Sequence, residues 1–309
     1  MDKETLRDVA ADFCNESPTN YLPKRDGLSA AAAAADNFAR NNIYGALSDA
    51  ERLGADAESG YVGMRFYGDP VLSIGAADDP GFLKLKEPDI IGPFHKMPEE
   101  WLPGAKTVIS FFLPFEKRIV EANRKDPVEP AMEWLMARVD GQKHLLAFGR
   151  HICETLEHEG YRAVAPQLED AYIMRPARFP VPGGEDVIPF ASNWSERHVG
   201  FVTGLGTFGL STNFISKAGS AGRLIGVITD WEAEPDKKDY GDWLAYCNKC
   251  GACVRRCPAR AYAGCEPGRK NHEICGEHIH FTCLKYEPRY GCGKCIAGMP
   301  CAYTALPAS

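Results

Sequence analysis

The sequence predicts a mixed α/β (α+β) body followed by a C-terminal ferredoxin-like module of the two-cluster [4Fe–4S] kind. Three observations predict it. Helical and strand-like apolar patterns alternate along the first 238 residues. Ten of the twelve cysteines fall within residues 247–309, leaving only Cys14 and Cys153 before them. The run CNKCGACVRRCP, starting at Cys247, has the C-x2-C-x2-C-x3-C-P spacing of a bacterial-type iron–sulfur protein. These place a body at residues 1–238 and a cysteine-rich domain at 239–309, joined near the charged stretch EAEPDKKDYGD.

The chain has 309 residues, 45% of them hydrophobic, enough for a substantial core. Its net charge of −7 argues against a dedicated nucleic-acid binder, which carries a basic face. The opening MDKETLRDVAADF has no basic segment followed by an apolar one, and no twin arginine. The longest apolar stretches, such as TVISFFLPF, are far shorter than a membrane span. The expectation is therefore a cytoplasmic protein without a membrane segment.

The body is read in chain order. Residues 29–40, SAAAAAADNFAR, predict a helix, because alanine loses no side-chain entropy there. KTVISFFLPF predicts a buried strand, bounded by Pro103-Gly104 and Pro114. Helical periodicity runs from Glu129 to Glu159 with a break at Asp140-Gly141, and Leu145, Leu146, Gly149, Ile152, Cys153 and Leu156 share a face. Cys153 and Cys14 read as packed thiols. YRAVAP at 161–166 is a short strand, and RPARFPVPGGEDVIP is too rich in proline and glycine for regular structure and reads as a functional loop.

SNWSERHVGFVTGLGTFGL predicts a helix capped by Asn193 or Ser195, running through His198 and Phe201 and closed by the glycines from Gly204 to Gly209. RLIGVITDW predicts a further strand. GLGTFG fails as a dinucleotide fingerprint, since it closes a helix instead of opening one. Two readings stay open for it: a helix cap and turn, or a flat backbone surface that a large cofactor can approach.

Dense cysteines in a reducing compartment point to metal ligation and not to disulfides. Three cysteines at regular two-residue gaps, Cys247, Cys250 and Cys253, suit three corners of one cubane and fit a zinc ribbon poorly. Cys257, followed by Pro258, points to a second cluster. Four more ligands are then needed, and six cysteines follow: Cys265, Cys275, Cys283, Cys292, Cys295 and Cys301.

The order of SERHVGFVTGLGTFG, RLIGVITD, CNKCGACVRRCP, a middle cysteine and YGCGKC resembles the epoxyqueuosine reductases and their relatives, the corrinoid-dependent reductive dehalogenases. The likeness covers roughly residues 160–301, with a weaker echo in LPGAKTVISFFLPF. It implies a nitroreductase-like body that binds a corrinoid (cobalamin) and a module whose two [4Fe–4S] clusters feed it electrons. It assigns Cys247, Cys250, Cys253 and Cys301 to the first cluster and Cys257, Cys275, Cys292 and Cys295 to the second. Cys275 is preferred to Cys283 because the middle cysteine of these families precedes a helix, here GEHIHFTCLKYE. Cys265 is surplus. Ser192, Asn193, Ser195, Gly204, Leu205, Gly206, Thr207, Phe208 and Gly209 would lie against the corrin.

The chain also departs from the resemblance. The aspartate that donates a proton in epoxyqueuosine reductases would fall at Phe190, near Ser192 and Asn193, and the lysine after the glycine turn is Leu210 here. Substitute proton donors are Tyr172, Arg175, Arg197 and His198. No helical-repeat stretch for gripping tRNA is present, so with the acidic charge a tRNA substrate is not expected.

Three functions follow. The first is a corrinoid and iron–sulfur reductase of a small molecule, served by a low-potential donor such as ferredoxin or flavodoxin. The second is an electron-transfer or activating protein that reduces a partner, such as a corrinoid protein. The third is a reductive dehalogenase or epoxyqueuosine reductase proper. A flavin in the body is a further option, though no phosphate-binding fingerprint supports it.

Overall fold

The computed structural model describes residues 1–23, 59–174, 192–266, 268 and 270–306. The helix expected at 29–40 and the loop RPARFPVPGGEDVIP lie outside the described residues, as does Arg175. Helix α1 (Lys3–Glu16) opens the chain with Asp2 as N-cap, its carboxylate accepting from Thr5 N at 2.8 Å. It buries Leu6, Ala10 and Cys14, one stripe at four-residue spacing. Strand β1 (Val71–Ala76) leads to two short helices, α2 (Pro80–Lys84) and α3 (Pro98–Trp101).

Strand β2 (Thr107–Pro114) is the central strand expected from KTVISFFLPF. Seven of its eight residues are buried, as a continuous apolar run covered on both faces demands. An unexpected helix, α4 (Lys117–Lys125), follows, and the helical stretch expected at Glu129–Glu159 forms α5 (Met132–Val139) and α6 (Gly141–His158), with the expected break at Asp140. After β3 (Ala163–Val164) come α7 (Glu196–Thr203), the hairpin β4 (Gly206–Phe208) with β5 (Phe214–Ser216), and β6 (Gly222–Thr229). The last part of the chain has two helices, α8 (Ala252–Arg255) and α9 (His272–Tyr286).

Four strands form one antiparallel sheet in the order β1-β2-β6-β3. Alternation assigns each face of it a partner. On one face Phe111 meets Phe148 of α6 edge-on at 5.0 Å, and Gly149 makes room for Ile225. On the other, Val108 and Ile228 pack with Trp194, Val199 and Val202 around α7. Small residues let α7 sit close: a Cβ on Gly75 would lie 2.9 Å from the Thr203 side chain. Among the described residues, no helix is long and apolar enough to cross a membrane.

The charged stretch after β6 is pinned along its length. Asp236 accepts from Ile74 N at 2.8 Å along β1 and pairs with Lys3. The Tyr240 hydroxyl donates to Phe201 O at 2.6 Å, and Tyr246 N donates to Thr207 Oγ1 at 3.0 Å. The cysteine-rich segment then docks on α4 and α5. Arg289, fully buried, meets Asp140 at 2.6 Å, and Gly293 lies so close to Trp134 that a Cβ would come within 2.1 Å. Ala297 and Ala302 enter the same apolar core as α1, β2 and α6.

Candidate functional site

Cys247, Cys250, Cys253 and Cys301 line one shallow pocket that is open to solvent. Two distant stretches of chain create it. Lys249 and Gly251 take left-handed backbone conformations, at φ 56° and 70°, which curl the first three cysteines around one volume. Cys301 comes from the far end and is held by backbone bonds: Ser220 N donates to Cys301 O at 2.9 Å and Ala221 N to Ala302 O at 3.1 Å. Ser220 Oγ lies 3.8 Å from Cys301 Sγ. Gly209, Leu210, Ser211 and Ile215 of the β4–β5 hairpin form the inner wall.

The electrostatics suit metal ligation. Burial, with the thiols of Cys295, Cys247 and Cys301 nearby, pushes the Cys253 thiol up to about 12. Burial also raises Cys301. Crowded buried thiols resist ionisation until a cation shares their charge, and a bound metal deprotonates a coordinating thiol outright. Among the described residues no three His, Cys, Asp or Glu side chains converge on a single-ion site. A cubane asks for something wider, one sulfur at each corner of a cluster. The four thiols line one pocket, and a [4Fe–4S] cluster asks for four such sulfurs.

The second group is Cys257, Cys275, Cys292 and Cys295. Burial is the main cause of the raised Cys275 thiol, followed among other thiols by Cys295 and Cys257. Cys292 is pushed up to about 12 by burial, with Cys295 and Cys275 contributing. Three contacts from outside the group hold it. Asn123 Nδ2 donates to Cys292 O at 3.0 Å, Ala261 N donates to Cys257 Sγ at 3.4 Å, and Asn213 Nδ2 donates to Cys295 Sγ at 3.2 Å. Lys294, between the last two cysteines in sequence, is fully buried and donates to Asn123 O at 2.7 Å. Cys275 and Cys292 thus lie within electrostatic reach of Cys295, and Cys257 and Cys295 each accept a hydrogen bond at sulfur.

Cys275 lies inside the first turn of α9, not before the helix as expected, because Asn271 caps it and its carboxamide accepts from Ile274 N. Cys283 lies on the same helix, 3% exposed, and no other cysteine contributes to its raised thiol. Cys265 is exposed beside Gly251. Cys14 and Cys153 are buried in the core, each pushed up to about 12 by burial.

The nine residues assigned to a corrinoid have the following partners and neighbours within the chain. Ser192 Oγ donates to Trp194 O at 2.6 Å, and the Asn193 carboxamide accepts from Ile173 N and donates to Ala171 O. Ser195 Oγ is 2.7 Å from His198 Nδ1. Leu205, Thr207 and Phe208 are buried. A Cβ on Gly206 would come within 2.2 Å of Ile215 O, and one on Gly209 within 3.0 Å of Ile215 Cδ1. These two glycines thus admit β5, and Gly204 is the left-handed cap of α7 at φ 96°.

Three of the proton-donor candidates, Tyr172, Arg197 and His198, fall on described residues. Burial, then the charge of Glu196, raises the Tyr172 phenol. His198 is lowered to about 3 by burial, so its ring is neutral near pH 7, and it packs against Phe208. Arg197 reaches instead toward Thr212 O. Sequence reasoning missed Glu196, the first residue of α7. Its Oε1 accepts from Gln167 Nε2 at 2.9 Å, its Oε2 lies over Gly226, and burial raises it to about 7. The helix pattern foretold a first-turn acid but not that it would turn inward onto the sheet. Asn213 and Ser220, both aimed at cysteine sulfurs, had no sequence signal.

No protein-family model matches the chain, and no curated protein matches it. Solved structures do align with it. An epoxyqueuosine reductase from Bacillus subtilis aligns at a TM-score of 0.43 and 19% identity, over 75% of this chain and 61% of its own. One from Streptococcus thermophilus gives 0.43 and 19%, over 77% and 64%. A catabolic reductive dehalogenase gives 0.45 and 16%, over 89% of this chain and 36% of its own. The chain thus spans under two thirds of the reductases and about a third of the dehalogenase.

Proposed function

We propose that the protein is an oxidoreductase that relays electrons through two [4Fe–4S] clusters, held by Cys247, Cys250, Cys253 and Cys301 and by Cys257, Cys275, Cys292 and Cys295. The observation that carries this reading is the single pocket lined by three adjacent cysteines and by Cys301, 48 residues beyond Cys253. A shared ligand would give four thiols from two stretches of chain a reason to line one volume. The clusters supply one-electron transfer at low potential. Leu210 and Ile215 form the apolar inner wall of the first pocket. Cys250, exposed at the mouth, gives the first cluster an edge that an electron donor such as ferredoxin or flavodoxin can approach.

Residues 1–238 would bind or face the electron acceptor and 239–309 would carry the relay. The sequence resemblance implies a bound corrinoid as the acceptor, reducing a small molecule. In the second reading the same relay would deliver electrons to a partner protein instead. Anaerobic reconstitution with iron and sulfide tests the relay: about eight irons per chain and two reducible paramagnetic centres are expected. About four irons would refute it. Titration with cobalamin, followed by visible spectra and cobalt paramagnetic resonance, separates the acceptors, since saturable binding would overturn delivery to a partner.

A further inference from the structure

We infer that Asn213 sets the reduction potential of the second cluster by donating a hydrogen bond to Cys295 Sγ. The inference rests on the two-cluster reading above. Asn213 belongs to the body, in the turn between β4 and β5, yet its side chain ends on a sulfur of the C-terminal segment at 3.2 Å. It is 7% exposed, so water does not compete for that contact.

The turn is built to hold the amide there. Gly209 N donates to Asn213 O at 2.9 Å, and Asn213 Nδ2 also donates to Ser211 Oγ at 3.1 Å. Thr212, a β-branched residue, is held at φ 59°, a conformation such side chains adopt only when their surroundings impose it. The acceptor-only sulfur of a ligating thiolate requires the amide nitrogen, not the oxygen, on that side. The same turn reaches the other group, because Gly209, Leu210 and Ser211 line the first cysteine pocket. One turn of the body therefore touches both cysteine sets.

A one-electron reduction adds a negative charge to a cluster and its four thiolates. A donor pointed at one of those sulfurs favours the more negative state and raises the potential. Asn213 is thus a positioning and tuning residue that acts through Cys295. Its effect is local, so the first cluster keeps its potential when Asn213 is changed.

The test is an anaerobic redox titration of the reconstituted full chain with titanium(III) citrate as the one-electron reductant, read by paramagnetic resonance. Asn213→Leu and Asn213→Asp are compared with wild type after iron has been counted. With about eight irons retained, Asn213→Leu should make reduction of one cluster about tenfold less favourable, a shift of about 59 mV to more negative potential. Asn213→Asp should shift it at least as far, and the other midpoint should stay in place. Full iron with both midpoints unchanged would overturn the inference. So would loss of a cluster in both variants, which would make Asn213 a structural support. A wild-type protein with about four irons would instead remove the two-cluster reading itself.

Discussion

Glu196 is a carboxylate turned inward, and its charge state writes a signature on stability. Its ordinary value of 4.5 rises to about 7 in the fold, because burial outweighs the help of Gln167, Gly226 and Trp194. The folded chain therefore binds more protons than the unfolded one between those values. Its contribution is fully favourable below pH 4.5 and is lost as pH rises through about 7. Glu196→Gln should remove that decline, gaining up to roughly 3 kcal/mol over wild type above pH 7. Thermal midpoints of the two proteins at pH 5 and pH 8, taken anaerobically, check it; equal slopes would contradict it. At the same scale, Cys275→Ala and Cys301→Ser should each halve the iron of the reconstituted protein, whereas Cys283→Ala should retain it. Iron retained in Cys275→Ala but lost in Cys283→Ala would reverse their roles. The gathering of Cys247, Cys250 and Cys253 at one pocket was legible because their two-residue gaps keep them on one short loop. Glu196 and Asn213 were not, because tertiary packing alone decides where a polar side chain turns.

The β4–β5 hairpin shows what an element's sequence reveals and conceals. Its glycines announced the end of α7, and Gly204 caps that helix as a left-handed residue should. The pattern could not say which side of Gly206 and Gly209 would be approached, since a missing Cβ admits a cofactor or a neighbouring strand equally well. Here β5 occupies that side. Gly206→Ala should accordingly cost about 1–3 kcal/mol through overpacking against Ile215 O. Chemical denaturation of the reconstituted chain measures the loss, and an unchanged midpoint would mean that the approach is not close. Strand β2 was legible from its unbroken apolar run. β1 was not, because Val71–Ala76 mixes Ser73 and Gly75 into its buried positions to admit α7.

At the scale of the whole molecule, the uneven cysteine distribution marked out a segment, and the packing shows how that segment is held. Arg289, Lys294, Ala297 and Ala302 are all buried against the body, and Ala297 and Ala302 share its main apolar core. Composition could not reveal this, since burial of a lysine or an arginine depends on partners such as Asn123 and Asp140 from elsewhere in the chain. Removing iron should therefore lower the melting temperature of the entire protein, with one calorimetric transition before and after. A separate early transition confined to the cysteine-rich part would argue against this coupling. The placement of Cys301 has a consequence for biosynthesis. Its sulfur completes the first pocket only when Ser220 and Ala221, at the entrance to a formed β6, are ready to receive its backbone. A nascent chain still on the ribosome, with Cys301 not yet emerged, offers that cluster three sulfurs. On the two-cluster reading proposed above, the first centre would be completed only after Cys301 has emerged and the sheet has folded.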